Sequence, residues 1–180
     1  YENLDDIEKQ SEQYQSLKII ERSSDNINEF IDDLVEVAKI ESGSLEIHKC
    51  WLDVKGLISM VITNHIKKIE EKPIKIYQEV SVGVIYSDEK RIRQVITNFL
   101  TNAIRYTDNG KIIIKADKTN DLLILSVEDS GIGISEKDIN NIFEPFFRTE
   151  NARSVHKGMG IGLTICMRIA EQLGGKVTVQ

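Results

Sequence analysis

The sequence has few of the residues that build covalent or metal-held frameworks. Its 180 residues include two cysteines, three histidines and two prolines. Cys50 and Cys166 lie far apart without a Cys-x-x-Cys spacing, which indicates free thiols in a reducing compartment. None of the histidines has a neighbour pattern typical of a metal ligand. The sequence therefore argues against a disulfide-rich fold and against a zinc-held fold.

The sequence also lacks long apolar runs and an excess of positive charge. The apolar stretch at residues 56–62 is far too short to cross a bilayer. No signal peptide is visible at Tyr1, and because the chain starts without Met we expect it to be a piece of a longer protein. The formal net charge of −6 argues against a general nucleic-acid binder, which would be basic.

The first 43 residues contain no proline and no internal glycine, and they predict one long helix. Apolar residues recur there with an alternating spacing of three and four, the pattern of a coiled coil or helical bundle. These residues are Leu17, Ile20, Ile27, Ile31, Leu34 and Ala38, with Ser24 filling the gap between Ile20 and Ile27. Ser42 and Gly43 predict the end of the helix, with glycine as the cap. The alternative is a single amphipathic helix packed on its own domain.

The rest of the chain alternates between helical and strand patterns. Asp88 is expected to cap a helix. A connector follows the first helix, and Trp51 is expected to anchor this connector to the core. Residues 150–157 lack periodicity and predict a mobile lid. The predicted helices are 54–70, 88–106, 135–148 and 160–173, and the predicted strands are 74–80, 82–86, 111–118 and 122–128. Residues 44–53 predict a strand or an extended linker, and residues 176–180 predict the start of a strand that finds no partner in this chain.

Two glycine clusters, at residues 131–133 and 158–162, bracket a polar segment that carries one aromatic group of residues. Glycine allows close approach of the backbone to a ligand and positive φ, and successive N–H groups in such turns can hold an anion. The second cluster leads into an apolar helical pattern, so a helix N-terminus would face the same ligand. This arrangement predicts a phosphate site, although glycine clusters are often only turns.

Asn98 and Asn102 lie four residues apart and share one face of the helix predicted over 88–106. Asparagine is not favoured inside a helix, because its amide competes for backbone hydrogen bonds. Two asparagines beside an apolar stripe therefore suggest a site. The alternative is a pair of amides on the surface.

Taken in order, these motifs resemble the N box, first glycine box, F box and second glycine box of sensor histidine kinases. That family is part of a superfamily shared with gyrase, mismatch-repair ATPases and heat-shock chaperones. Residues 22–43 resemble the second helix of the kinases' dimerisation and phosphotransfer domain, so the resemblance covers nearly the whole chain. The motifs are Asn98-x-x-x-Asn102, Asp129-x-Gly131-x-Gly133, Phe143-x-x-Phe146-Phe147 and Gly158-x-Gly160-x-Gly162.

The resemblance implies an α+β fold, a two-layer α/β sandwich with a mixed sheet and helices on one face, preceded by a long bundle-forming helix. Residues 1–45 would be part of the dimerisation and phosphotransfer domain, and residues 46–180 would be the catalytic ATP-binding domain with its last strand truncated. No histidine here matches the family's phosphoacceptor, which we expect on a helix before Tyr1.

The resemblance also assigns roles to individual residues. Asn102 resembles a Mg²⁺ ligand, Asn98 would contact phosphate, water or metal, and Asp129 resembles the acceptor for the adenine amino group. An amide at position 98 cannot act as a base, whereas chaperone-type relatives have a glutamate there; this fits phosphoryl transfer rather than brisk hydrolysis. The implied ATP-binding set is completed by Arg105, Tyr106, Gly131, Gly133, Ile134, Phe147, Arg148, Lys157, Gly158, Met159, Gly160, Ile161, Gly162 and Leu163.

The implied function is the ATP-binding catalytic region of a sensor histidine kinase. It would transfer the γ-phosphoryl group of Mg-ATP to a histidine outside this chain, for relay to an aspartate of a response regulator. The implied partners are a second copy, through the N-terminal helix, and a receiver domain. We expect no nucleic acid, membrane contact only through upstream segments, and a cytoplasmic location. The alternatives are an ATP-driven conformational ATPase and a degenerate kinase that serves as a scaffold.

Overall fold

The computed structural model describes residues 2–120, 122–150 and 159–180. The chain divides into two compact units, the first ending at Ser44 and the second beginning at Leu45.

The first unit is one long helix, α1 (Glu2–Glu41), as the sequence predicts. Gly43 ends the helix with a φ of +66°, which L side chains rarely adopt. The Gly43 N–H donates to Ile40 O at 3.1 Å, and the Ser44 N–H donates to Lys39 O at 2.9 Å. These two hydrogen bonds form a Schellman cap, which satisfies carbonyl groups that the helix end would leave unpaired.

The second unit mixes helices and strands, and the site described below lies on the helices that begin at Glu89 and Gly162 and on the segments beside them. In chain order its elements are β1 (Cys50–Asp53), α2 (Val54–Asn64), α3 (Ile66–Glu70), β2 (Ile74–Val80), β3 (Val84–Ser87), α4 (Glu89–Tyr106), β4 (Gly110–Thr119), β5 (Leu122–Asp129) and α5 (Gly162–Gln172).

The strands form a mixed sheet, which confirms the predicted α+β class. In the order β2-β4-β5, β4 is parallel to β2 and antiparallel to β5, while β1 and β3 form a separate antiparallel pair. Ile112 and Ile114 of β4 are buried against the helices. On the other face, Lys115 Nζ forms an ion pair with Glu128 Oε1 at 2.6 Å. The sheet is therefore covered by helices on one face, while the other face carries this ion pair together with the exposed Tyr77, Leu122 and Ile124.

Helix α4 lies at the centre of this core. Its predicted cap, the buried Asp88, accepts hydrogen bonds from the backbone N–H of Arg91 at 3.0 Å and from that of His48 at 2.6 Å. One carboxylate thus starts the helix and fixes the connector that precedes β1. The buried stripe of α4 consists of Ile92, Val95, Ile96, Leu100, Ala103 and Ile104.

Two helix predictions need correction. The helix predicted over 54–70 is interrupted at His65, whose ring Nδ1 forms a hydrogen bond with Val61 O at 2.8 Å. The helix predicted over 135–148 is wrong, because residues 136–143 form successive turns. Pro145 has no N–H to offer a helix, and Phe146 adopts a φ of +65°, which a right-handed helix excludes.

Two further expectations about the second unit are also wrong. Trp51 does not anchor the connector in the core: it is 73% exposed and packs on Tyr86 of β3, with ring centroids 5.3 Å apart. Successive strand residues face opposite sides, and its neighbour Leu52 already faces the core. Residues 176–180 form no strand, although the expected lack of a pairing partner holds: within the described residues β5 pairs with β4 alone.

Candidate functional site

One wall of the candidate site is the second half of α4. Asn98, Asn102 and Arg105 follow one another at helical spacing on one face, and all three are half-buried. The Asn102 side chain makes no hydrogen bond with the part of the chain that the structure describes. Its amide oxygen is therefore available to a ligand.

Asn98 joins α4 to the start of α5. Its Nδ2 donates to Gly162 O at 3.4 Å, and a Cβ on Gly162 would lie 3.1 Å from Asn98 Oδ1. Glycine at 162 therefore leaves the room that the Asn98 amide occupies. Burial raises the pKa of the Cys166 thiol, one turn further along α5, to about 12, and a hydrogen bond with the Asn98 side chain opposes that rise. Cys166 thus stays a neutral thiol.

The loop that follows β5 packs against the end of α4. Asp129 Oδ1 accepts the Gly131 N–H at 2.8 Å, and the Ile132 N–H donates to Tyr106 O at 3.3 Å. A Cβ on Gly131 would overlap the Tyr106 carbonyl and lie 2.7 Å from Asp129 Oδ1, so glycine is required here. The exposed carboxylate of Asp129 is thereby oriented through Oδ1, while its Oδ2 has no hydrogen bond with the described residues.

The aromatic turn at residues 143–147 is tied to α5. Thr164 Oγ1 donates to Phe143 O at 2.8 Å, and the Phe146 N–H donates to Gly160 O at 3.1 Å. Gly160 has a φ of +75°, and a Cβ there would overlap Phe147 O. The same Cβ would lie 3.0 Å from Arg148 Cγ, so the Arg148 side chain passes beside Gly160.

Helix α5 presents its N-terminus without a side-chain cap. Its N-cap residue, the buried Ile161, makes no capping hydrogen bond, and its first turn contains no acidic residue. The first N–H groups of a helix lack partners inside the helix and carry a partial positive charge. The start of α5 is therefore suited to bind an anion.

The structure brings most of the predicted site residues into these four segments. Ile134 is exposed, and Met159, Leu163, Tyr106 and Phe147 are half-buried. Lys157 and Gly158, with most of the predicted lid, lie outside the described residues. The described residues contain no cluster of three or more histidine, cysteine, aspartate or glutamate side chains that could hold a metal ion.

Sequence reasoning missed Thr164 and Cys166. Thr164 is buried where α5 meets the aromatic turn, and Cys166 is buried one turn after Gly162, whose carbonyl accepts the Asn98 amide. A threonine and a cysteine within an otherwise apolar helix face were the available signal. That signal is weak, because small residues on such a face normally serve packing alone.

Residues 87–180 match the family described as histidine kinase-, DNA gyrase B-, and HSP90-like ATPase. The chain belongs to this family of ATPases. Within it the chain is a sensor-histidine-kinase catalytic region, since its relatives and its structural neighbours are histidine kinases.

Two curated relatives illustrate this likeness. Hybrid signal transduction histidine kinase B of Dictyostelium discoideum is 35% identical over 94% of this chain. Sensor protein GacS of Pseudomonas syringae pv. syringae is 33% identical over 93% of this chain. The chain spans only 9% and 19% of the length of these two proteins.

Solved structures agree. Full-length ShkA in complex with AMPPNP matches with a TM-score of 0.79 at 28% identity, over 91% of this chain and 34% of that one. Histidine kinase ThkA in complex with response regulator protein TrrA matches with a TM-score of 0.64 at 30% identity, over 84% of this chain and 44% of that one.

Among the helices that the structure describes, none combines the length and apolar character needed to cross a membrane.

Proposed function

We propose that this chain binds Mg-ATP and transfers the γ-phosphoryl group to a histidine that lies outside residues 1–180. The observation that carries the proposal is the oriented carboxylate of Asp129, the last residue of β5, at the start of the loop that packs against α4. That loop meets the helix that carries Asn98 and Asn102, and Asn98 in turn contacts the uncapped start of α5. A base-recognising group and a phosphate-binding group thus share one helix as their support.

Asp129 would recognise the adenine. An ionised carboxylate can only accept hydrogen bonds, so it favours a base that presents an amino group over a base that presents a carbonyl. The Gly131 N–H fixes one carboxylate oxygen and leaves the second for the ligand. Tyr106, half-buried at the end of α4, would lie along the nucleotide.

The asparagines and the start of α5 would hold the triphosphate. An amide oxygen is a hard ligand, and the Asn102 amide fits a Mg²⁺ ion that takes its other ligands from phosphate and water. The ion would offset charge on the phosphates, and Asn98 would orient the phosphates from its position against Gly162. Arg105 and Arg148, with Lys157 and Gly158 from outside the described residues, would add positive charge and N–H donors.

The proposed reaction is transfer rather than hydrolysis. Hydrolysis needs a base that activates water, and the Asn98 amide cannot accept the proton. Positioning and charge stabilisation are enough for phosphoryl transfer, because the enzyme does little covalent chemistry in that step. Steady ATP hydrolysis by the chain would instead favour a conformational ATPase.

In the complete protein we propose that α1 pairs with helices of a second copy, and that a response regulator receives the phosphoryl group. The exposed apolar stripe of α1 supports the first proposal. The complex of ThkA with a response regulator supports the second. The proposed location is cytoplasmic, either free or as the cytoplasmic part of a membrane-anchored sensor.

The test is a titration of the chain with a fluorescent ATP analogue and Mg²⁺. Asp129→Asn removes a charged acceptor, so we expect a loss of about 1.5–3 kcal/mol, which is about ten- to a hundredfold in affinity. Asp117→Asn is the matched control, because this carboxylate accepts a hydrogen bond from Ser81 Oγ at 2.7 Å and lies outside the candidate site. Unchanged binding by Asp129→Asn would contradict the assignment.

A further inference from the structure

Lys72 lies in the short link between α3 and β2, and no motif points to it. Its ammonium group nevertheless donates hydrogen bonds to backbone carbonyls at the C-terminal end of α4. Lys72 Nζ donates to Ile104 O at 2.8 Å, to Thr107 O at 2.9 Å and to Arg105 O at 3.3 Å. Its side chain is only 26% exposed. A largely buried cation with three carbonyl partners is held in one place.

The last carbonyl groups of α4 can be accounted for one by one. The last four carbonyls of a helix lack intrahelical partners unless a cap supplies them. Here Ala103 O accepts the Thr107 N–H at 3.0 Å, and Lys72 takes the carbonyls of Ile104 and Arg105. The fourth carbonyl, that of Tyr106, accepts the Ile132 N–H of the loop that follows Asp129.

The backbone of Lys72 is itself fixed. The Lys72 N–H donates to Ile69 O at 3.1 Å, and Lys72 O accepts the Ile74 N–H at 2.8 Å. Pro73 follows, and its carbonyl accepts the Gly110 N–H at the start of β4 at 3.1 Å. The ammonium therefore reaches α4 from a rigid base, and a positive charge is favoured at a helix C-terminus.

From this geometry we infer that Lys72 is a positioning residue for nucleotide recognition. It fixes the end of α4 so that Tyr106 O meets Ile132, and this contact sets the Asp129–Gly131 turn that faces the base. The inference rests on the proposed function for its nucleotide role. Its structural half, that Lys72 holds the loop, can be tested without nucleotide.

The experiment compares Lys72→Met, Lys72→Arg and Asp108→Asn in the full 180-residue chain. Asp108 is the matched control, because it touches the same ammonium at 3.4 Å but its side chain is 78% exposed. Arginine can still donate to several carbonyls, so Lys72→Arg should rescue what methionine loses.

The first readout is amide hydrogen exchange without nucleotide. We expect Lys72→Met to speed exchange at Ile132 by about tenfold, while exchange in the β1–β3 pair stays unchanged. The second readout is the ratio of ATP affinity to GTP affinity. We expect Lys72→Met to weaken ATP about tenfold and to lower this ratio, because a displaced carboxylate discriminates less between the bases.

Equal exchange effects at Ile132 and in the β1–β3 pair would overturn the inference, since Lys72 would then serve global stability alone. An unchanged ATP-to-GTP ratio in Lys72→Met would overturn its nucleotide role. If the unaltered chain binds no ATP, the proposed function fails together with that role, and the exchange result still decides whether Lys72 holds the loop.

Discussion

Helices α1 and α4 carry similar apolar stripes in sequence and meet different surroundings in the structure. In α4, Leu100 and Ile96 are 0% and 2% exposed. In α1, Leu17 and Ile20 are 63% and 64% exposed. The spacing of apolar residues is that of a helix in both cases. The pattern therefore predicts a helix and which of its faces is to be buried. It does not show which part of the protein, or which partner, buries that face.

The difference also separates two sources of helix stability. An isolated helix in water is marginal, and most helical stability in proteins comes from packing of the apolar face. Helix α4 has this packing within its own unit, along with caps at both ends from Asp88 and Lys72. Helix α1 has a Schellman cap, and its stripe remains open to a partner.

The largest expected effect is a core truncation in α4. We expect Leu100→Ala to lower the free energy of unfolding of the second unit by about 2–5 kcal/mol, since the fully buried side chain leaves a cavity. Leu17→Ala in α1 is the matched control and should leave that unit's stability within about 0.5 kcal/mol. Urea unfolding followed by Trp51 fluorescence measures both. Equal losses would mean that the two stripes are buried alike.

A second expected effect is a difference between the two thiols in how stability depends on pH. Because the pKa of Cys166 is raised from its ordinary 9.0 to about 12, the unfolded chain ionises first as pH rises. The contribution of this thiol to the free energy of unfolding is thus fully present below pH 9.0. It is lost as pH rises towards about 12, by about 1.4 kcal/mol per pH unit. We expect Cys166→Ala to flatten the fall of stability in that range, and Cys50→Ala, at an exposed position, to leave it unchanged.

The same two thiols can be checked chemically. A disulfide reagent should modify Cys50 in the folded chain and reach Cys166 only on unfolding, since Cys166 is buried and neutral. Rapid modification of both thiols in the folded chain would show that the contact between α4 and α5 opens readily.

The smallest expected effect is at the contact between Asn98 of α4 and Gly162 of α5. Gly162→Ala would place a Cβ 3.1 Å from Asn98 Oδ1, so the amide must move by a few tenths of an ångström. We expect Mg-ATP affinity to fall about three- to tenfold, or about 0.7–1.4 kcal/mol, with little change in stability. Gly83→Ala is the control, because nothing lies within 4 Å of its Cβ position. If the two variants bind Mg-ATP with equal affinity, the position of the Asn98 amide does not matter for nucleotide binding.

Regular elements with strong periodicity were predictable from the sequence, whereas local backbone exceptions were not. The helices α1, α4 and α5 and the hairpin of β4 and β5 lie where the patterns place them. The break at His65 and the turns at residues 136–143 arise from hydrogen bonds and backbone angles that apolar spacing does not encode. Trp51 shows the same limit, because an aromatic residue in a strand follows the pleat rather than its hydrophobicity.

The order of the motifs, the class of fold and the chemical types at the site can all be read from the amino-acid sequence. These types are amides on one helix, a carboxylate before glycines, and glycines before a helix. Tertiary structure alone decided how these groups are held. Lys72 and Ile132 donate to the carbonyls at the end of α4. Thr164 holds the aromatic turn, and the Gly162 carbonyl holds the Asn98 amide. Such contacts join residues distant in sequence and depend on where each backbone carbonyl points, which no local pattern of side chains records.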